Sequence, residues 1–183
     1  DVKVFEQEHL EWPYITLKRF EILNKARKEI KDCDYLVFID ADALVVDKIT
    51  EEEFFTDKPL FGVHHPCHFL KMQPHNQLPG AFETNKKSNA ALDLEKYKPD
   101  VYYQGCLWGG KVPEVCAMID ELMDRTNDDL KKDIVAVWHD ESHINRYFIE
   151  NQDQVHTLGS EFAYPEVFDL SLIHISEPTR RPI

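Results

Sequence analysis

Tyr35-Leu36-Val37-Phe38-Ile39-Asp40-Ala41-Asp42 is the stretch whose reading decides the fold. Five apolar residues in a row, several of them β-branched or aromatic, predict a strand buried on both faces. The strand ends in two carboxylates spaced i, i+2. In an open α/β sheet, ligands sit outside the carboxyl ends of the strands, so these acids fall where chemistry is expected. Two aspartates so close repel one another unless a cation lies between them. Hard oxygen donors suit Mn²⁺ or Mg²⁺, an ion typically shared with substrate phosphates. Taken alone, Asp-x-Asp fits a strand end followed by a polar turn equally well, and its context has to decide.

Upstream, Trp12-Pro13 opens a helical stretch in which Leu17, Phe20, Leu23, Ala26 and Ile30 recur at helical spacing between Lys, Arg and Glu. A short strand is expected over residues 2–5. Downstream, Leu44-Val45-Val46 extends the apolar character, Thr50-Glu-Glu-Glu53 reads as a capping box, and residues 60–63 read as the next strand. Residues 64–99 are irregular, and loops of such length are usually functional. His64, His65 and His68 cluster there without a zinc-type spacing, so they are expected to line a polar cleft.

Residues 101–105 read as a strand, and the glycines at 109 and 110 allow close backbone approach to another element or a ligand. An amphipathic helix follows from Pro113, with Val115, Cys116, Ile119, Leu122 and Met123 on one face. Residues 134–137 are a strand candidate, Asp140 is placed to cap the next helix, and residues 155–158 form a last weak strand. This alternation predicts an α/β fold with a mainly parallel sheet flanked by helices. One domain over residues 1–170 is expected, with the 171–183 tail outside the fold.

The 183 residues carry a formal net charge of −13, which argues against a general nucleic-acid binder because nothing would neutralise phosphates broadly. Four cysteines without close pairs give neither a disulfide framework nor a zinc signature, and a reducing compartment is the simpler expectation. No run approaches the ~18 apolar residues of a membrane helix. The chain opens on Asp1 without an initiator Met, so an upstream segment is expected.

Trp138-His139-Asp140-Glu141-Ser142 places three titratable side chains beside an indole at a strand-to-helix junction. A carboxylate there can stabilise a developing cation, act as a nucleophile or hold a sugar hydroxyl. Helix starts are enriched in acids for dipole reasons alone, which accounts for Asp140 but leaves Trp138 and His139 unexplained.

The run Trp-His-Asp-Glu-Ser-His-Ile-Asn at 138–145 resembles the signature of glycosyltransferase family 6, which includes the histo-blood-group A and B transferases and the α-1,3-galactosyltransferases. Other landmarks agree in order. Trp12 followed by Lys18-Arg19 resembles the helix that closes over the nucleotide-sugar, and Asp40-Ala-Asp42 stands at the Asp-x-Asp metal motif. His65-Pro66 matches the His-Pro before the acceptor loop. Asp100-Val-Tyr-Tyr-Gln-Gly-Cys-Leu-Trp-Gly-Gly110, with Tyr102, Gln104 and Cys106, matches the segment shaping the donor and acceptor pockets. Leu158-Gly-Ser-Glu-Phe162 resembles a later Leu-Ser-Pro-Glu-Tyr. Coverage runs over about residues 10–165.

The resemblance implies a GT-A-like fold and a retaining transfer of galactose or N-acetylgalactosamine from a UDP-sugar to a β-galactoside, forming an α-1,3 bond. It gives Asp40 and Asp42 to Mn²⁺ (or Mg²⁺) and Arg19 to a donor phosphate or hydroxyl. His65 and Trp138 become an acceptor platform, Asp140 a ligand of donor hydroxyls, and Glu141 the catalytic carboxylate under the anomeric carbon. Trp12, Tyr102, Gln104, Cys106 and His139 fall among the substrate-binding positions.

The chain also departs from the family. Gln104 and Cys106 stand where family members select galactose over N-acetylgalactosamine, and neither choice is decoded by residue type. Many bacterial members carry Asn-x-Asn and work without metal, whereas this chain has aspartates. The first strand, the uridine-binding loop and the basic C-terminal segment have no counterpart, so the fold is expected to be incomplete at the N-terminus. A cytoplasmic location would follow for a bacterial or viral protein, and the Golgi lumen for a truncated membrane-anchored one. A non-catalytic carbohydrate-binding remnant of the same fold is the alternative. A metal-dependent phosphohydrolase using Asp40 and Asp42 is a third reading, and it requires further metal-ligating groups converging on the pair.

Overall fold

A computed structural model describes residues 3–66 and 81–164. The stretch from Trp12 to Ile30 winds as three short helical pieces, α1 Tyr14–Leu17, α2 Arg19–Lys25 and α3 Arg27–Ile30. Leu17 and Phe20 are its buried residues, which places the predicted apolar stripe on the core. Then follow β1 Tyr35–Ile39, α4 Glu51–Phe54, β2 Leu60–His64, α5 Leu94–Tyr97, β3 Tyr103–Lys111, α6 Val112–Leu130, α7 His139–Glu150 and β4 Val155–Leu158. The capping box starts α4 as read: the Thr50 N–H donates to Glu53 Oε2 at 2.7 Å.

Among the described residues, four strands form one sheet in the order β1-β3-β2-β4. Here the expectation of a mainly parallel sheet fails. β3 runs antiparallel to both β1 and β2, and only β2 and β4 pair in parallel. Alternation of helix and strand implies parallel pairing only when each helix carries the chain back across the sheet. α4 and α5 span four residues each, too short to carry the chain back across the sheet.

β1 is a strand as predicted, but it is not buried on both faces. It lies at the sheet's edge, with Leu36 and Phe38 packed inward and Val37 and Ile39 exposed. The doubly buried strands are β2 and β3. One face carries Leu60, Tyr103 and Trp108 into the main core with α2, α6 and α7. The other carries Phe61, Val63 and Leu107 against Phe54 of α4 and Leu158 of β4.

Three smaller expectations also yield. Residues 3–5 form no strand, and residues 134–137 are a loop whose backbone is tied by side chains instead. Asp140 does not cap α7. Trp138 holds the N-cap position and its N–H donates to Ser142 Oγ at 2.9 Å, while Asp140 lies in the first turn. His68 and the tail from residue 165 lie outside the described residues.

Candidate active site

β3 is longer than β1, and the site forms at that mismatch. The last ladder pair is Ile39 with Leu107, after which the Asp40 N–H donates to the Cys106 carbonyl at 3.0 Å. The acids therefore leave the sheet beside Cys106. On the other side of β3 the register shifts between the Gly62–Trp108 and His64–Tyr103 pairs. Val63 alone faces four residues, 104–107, so this part of β3 is a wide bulge. Bulges beside functional sites re-aim side chains and free backbone groups for other partners.

The first turn of α7 meets that bulge. Glu141 Oε2 accepts the Gly105 N–H at 2.7 Å, and Oε1 accepts the Tyr102 O–H at 2.9 Å. Gly105 leaves room for this approach: a Cβ there would stand 3.2 Å from the Glu141 Cβ, a tight contact. Burial pushes the Glu141 carboxyl up to about 7, against the lowering effect of these two donors. Burial likewise raises Asp140 to about 6, opposed chiefly by the Arg19 charge.

Arg19 joins the two halves of the site. Its Nη1 lies 2.9 Å from Asp140 Oδ2 and donates to the Gly105 carbonyl at 2.7 Å, while Nη2 lies 3.3 Å from Asp40 Oδ1. The guanidinium also sits 4.5 Å from the Phe38 ring centroid, an apolar floor that limits its hydration. Asp40 is half-buried and its carboxyl is raised by burial, with Arg19 opposing and Asp42 adding to the rise. Asp42 is exposed.

A family model described as glycosyltransferase family 6 matches residues 1–173. The chain belongs to glycosyltransferase family 6. The O-antigen biosynthesis glycosyltransferase WbnI of Escherichia coli is 31% identical over 168 residues, 92% of this chain and 68% of that protein. Globoside alpha-1,3-N-acetylgalactosaminyltransferase 1 of Mus musculus is 30% identical over 162 residues, 87% of this chain and 44% of that protein. Histo-blood group ABO system transferase 1 of Rattus norvegicus is 28% identical, with 87% and 44% covered. The chain thus spans about two thirds of the bacterial relative and under half of these animal ones.

In this family 6 chain the residues singled out from sequence fall into distinct groups. Arg19, Asp40, Tyr102, Asp140 and Glu141 form the linked cluster just described. Gln104 and Cys106 line its bulge. The Gln104 Nε2 donates to the Ala163 carbonyl at 2.8 Å, and its Oε1 accepts the Cys106 thiol at 3.4 Å. Burial, with the Asp40 and Glu141 charges, pushes that thiol up to about 11, so it stays neutral. His65 joins through Tyr102: its N–H donates to the Tyr102 carbonyl at 2.7 Å and the rings stand 5.9 Å apart.

Trp12 and His139 form a second group, edge to face with ring centroids 4.8 Å apart. His139 takes a left-handed backbone (φ 50°), and its burial lowers the imidazole's proton affinity. Trp138 is adjacent and partly buried. Two open concavities, of about 740 and 750 Å³, lie elsewhere, one lined by Tyr14, Lys18 and Asn127 and the other by Arg27, Lys31 and Lys111.

Sequence reasoning gave no role to Asn145, Glu83 or Asp129. Asn145 is buried, and its side chain bonds both the N–H and the carbonyl of Tyr103, each at 2.7 Å. Glu83 accepts the N–H groups of Asn85 and Val137 at 2.7 and 2.8 Å, fastening an irregular segment to the entry of α7. Asp129 accepts the Ser88 hydroxyl at 2.6 Å. Asn145 at least closes the 138–145 run, which was a signal. Glu83 lies in a stretch with no period and offered none.

Proposed function

We propose that this chain carries the catalytic region of a retaining glycosyltransferase with a GT-A-like fold. It moves galactose or N-acetylgalactosamine from a UDP-sugar to a β-galactoside acceptor, forming an α-1,3 bond. One observation carries the proposal. The Glu141 carboxylate is held by two donors at 2.9 and 2.7 Å, and its neighbour Asp140 is linked through Arg19 to Asp40 at the end of β1.

As UDP departs, positive charge develops on the sugar ring. A carboxylate already oriented by Tyr102 and Gly105 stabilises that charge, or bonds to the anomeric carbon, without reorganising. Its raised proton affinity is the cost of the same burial that excludes water. Asp140 and Arg19 offer an acceptor and a donor for sugar hydroxyls and phosphate oxygens. The Trp12–His139 pair and Trp138 present flat faces suited to the apolar side of a sugar, with His65 near Tyr102.

Asp40 and Asp42 provide two hard oxygen donors. Among the described residues no group of three or more His, Cys, Asp or Glu converges on one point. Two carboxylates fit Mn²⁺ or Mg²⁺, because such an ion takes its remaining ligands from water and a diphosphate. When bound it offsets the charge on the leaving diphosphate. A phosphohydrolase would need more ligands than this pair.

Both animal and bacterial relatives match, and the mouse and human relatives are named for α-1,3 transfer of N-acetylgalactosamine. Transfer assays with UDP-galactose and UDP-N-acetylgalactosamine, run beside calorimetric titration with UDP and Mn²⁺, test the proposal. Sugar transfer to a β-galactoside supports it. UDP binding without transfer or donor hydrolysis would replace it with the non-catalytic carbohydrate-binding reading.

A further inference from the structure

The bulge of β3 is held from outside the sheet. Residues 104–107 face only Val63 across the β2 ladder, so β2 itself does not fix where Gly105 lies; backbone ties stand only beside it, from the Asp40 N–H to the Cys106 carbonyl and from the His65 N–H to the Tyr102 carbonyl. Side chains supply the rest: Glu141 bonds Tyr102 and Gly105, Arg19 bonds the Gly105 carbonyl, and Asn145 bonds Tyr103 between them. Its Oδ1 accepts the Tyr103 N–H at 2.7 Å, and its Nδ2 donates to the Tyr103 carbonyl at 2.7 Å and to the Glu141 carbonyl at 2.9 Å. One side chain therefore imitates a strand partner for Tyr103 while gripping the α7 turn that carries Glu141.

We propose that Asn145 is a positioning residue for Glu141, setting the distance between α7 and the β3 bulge at which the carboxylate meets Tyr102 and Gly105. This rests on the assignment of Glu141 as the charge-stabilising carboxylate. The geometry forms a closed loop. The Glu141 carboxylate grips β3 on either side of Tyr103, through the Tyr102 O–H and the Gly105 N–H. Asn145 grips Tyr103 itself and returns to the Glu141 backbone. Residues 141 and 145 are one helical turn apart, so both ends of the clamp sit on the same face of α7.

The amide chemistry is specific. Only Asn or Gln presents an acceptor and two N–H donors on one planar group, and the shorter Asn is the one whose reach is fixed at this spacing. A carboxylate keeps the acceptor and loses both donors. Asn145 touches neither reacting atom and is 1% exposed, so its effect on transfer has to pass through Glu141.

Steady-state kinetics on Asn145→Ala and Asn145→Asp, each alone and combined with Glu141→Gln, test the proposal. Circular dichroism establishes that each variant is folded. In the parent background a folded Asn145 variant is expected to lower kcat roughly tenfold or more, with donor KM changed less than about twofold, because a positioning defect is felt in the transition state. In the Glu141→Gln background the same substitution should cost less than about twofold further, since there is no charge left to place.

Equal fold-losses in both backgrounds would make Asn145 a general clamp of the fold and overturn the proposal. So would an unchanged kcat in a folded Asn145→Asp protein, or failure of both single variants to fold. If Glu141→Gln alone left turnover untouched, the assignment of Glu141 would fail first, and the role of Asn145 would fall with it. That outcome is recognised from the single variant, before Asn145 is altered.

Discussion

At the scale of single residues, the proposed function gives the neighbours Glu141 and Asp140 different tasks. Glu141→Gln keeps the shape of the carboxylate and removes its charge, so kcat should fall by about 10²-fold or more, the scale of losing one electrostatic stabiliser. Asp140→Asn should raise donor KM as well, because its carboxylate shares Arg19 with Asp40 in the ground state. Titration adds a second test. The folded Glu141 carboxyl is raised to about 7 from its ordinary value near 4.5. Its ionisation therefore costs stability: the contribution is fully present at low pH and is lost as pH rises from about 4.5 through 7. Unfolding measured between pH 4.5 and 8 should show this fall in the parent and a shallower one in Glu141→Gln. The variant should gain on the order of 2–3 kcal/mol over the parent at the upper end. An identical pH dependence in the two proteins would contradict the burial of this charge. These acids were legible because the 138–145 run is distinctive. Asn145 and Glu83 were not, since their work is to satisfy backbone groups freed by a bulge and a loop, and neither feature has a period in the sequence.

At the scale of elements, the apolar run at 35–39 gave a strand but hid which strands the core encloses. Leu36 and Phe38 point inward while Val37 and Ile39 face outward at 39% and 47% exposure. Five apolar residues in a row cannot distinguish an edge strand with an uncovered face from a doubly covered one. Val37→Lys should accordingly change the stability of this chain by no more than about 0.5 kcal/mol in chemical denaturation. A loss several times larger would show that face to be covered. Gly109 behaves in the opposite way. The sequence suggested close approach by another element or a ligand, and the structure supplies the element: a Cβ on Gly109 would lie 2.2 Å from the Leu36 carbonyl oxygen. Gly109→Ala should destabilise by about 1–3 kcal/mol or more through forced separation of β1 and β3, with a matching drop in Tm. The β3 bulge was invisible in advance, because a strand-like segment at 101–105 reads the same whether or not residues 104–107 leave the β2 ladder.

At the scale of the whole molecule, charge bears on the proposed binding of a UDP-sugar. The chain's net charge is −13 and its one arginine at the site is already paired with Asp40 and Asp140, with Glu141 beside Asp140 and Asp42 two residues past Asp40, so a nucleoside diphosphate is expected to need a further cation. UDP affinity should therefore fall by an order of magnitude or more when divalent ions are chelated, as calorimetry would record. Undiminished affinity in excess chelator would place this chain with metal-independent chemistry. Family membership and the α/β architecture were legible in the sequence, because motif order survives where pairing direction does not. The strand directions were lost because helices as short as α4 and α5 do not encode how the chain turns. The most direct measurement is the anomeric configuration of the product. Proton NMR of the glycoside formed from UDP-galactose or UDP-N-acetylgalactosamine and a β-galactoside should show a new α-linked sugar, the donor's own configuration. A β-linked product would contradict a retaining site built on Glu141.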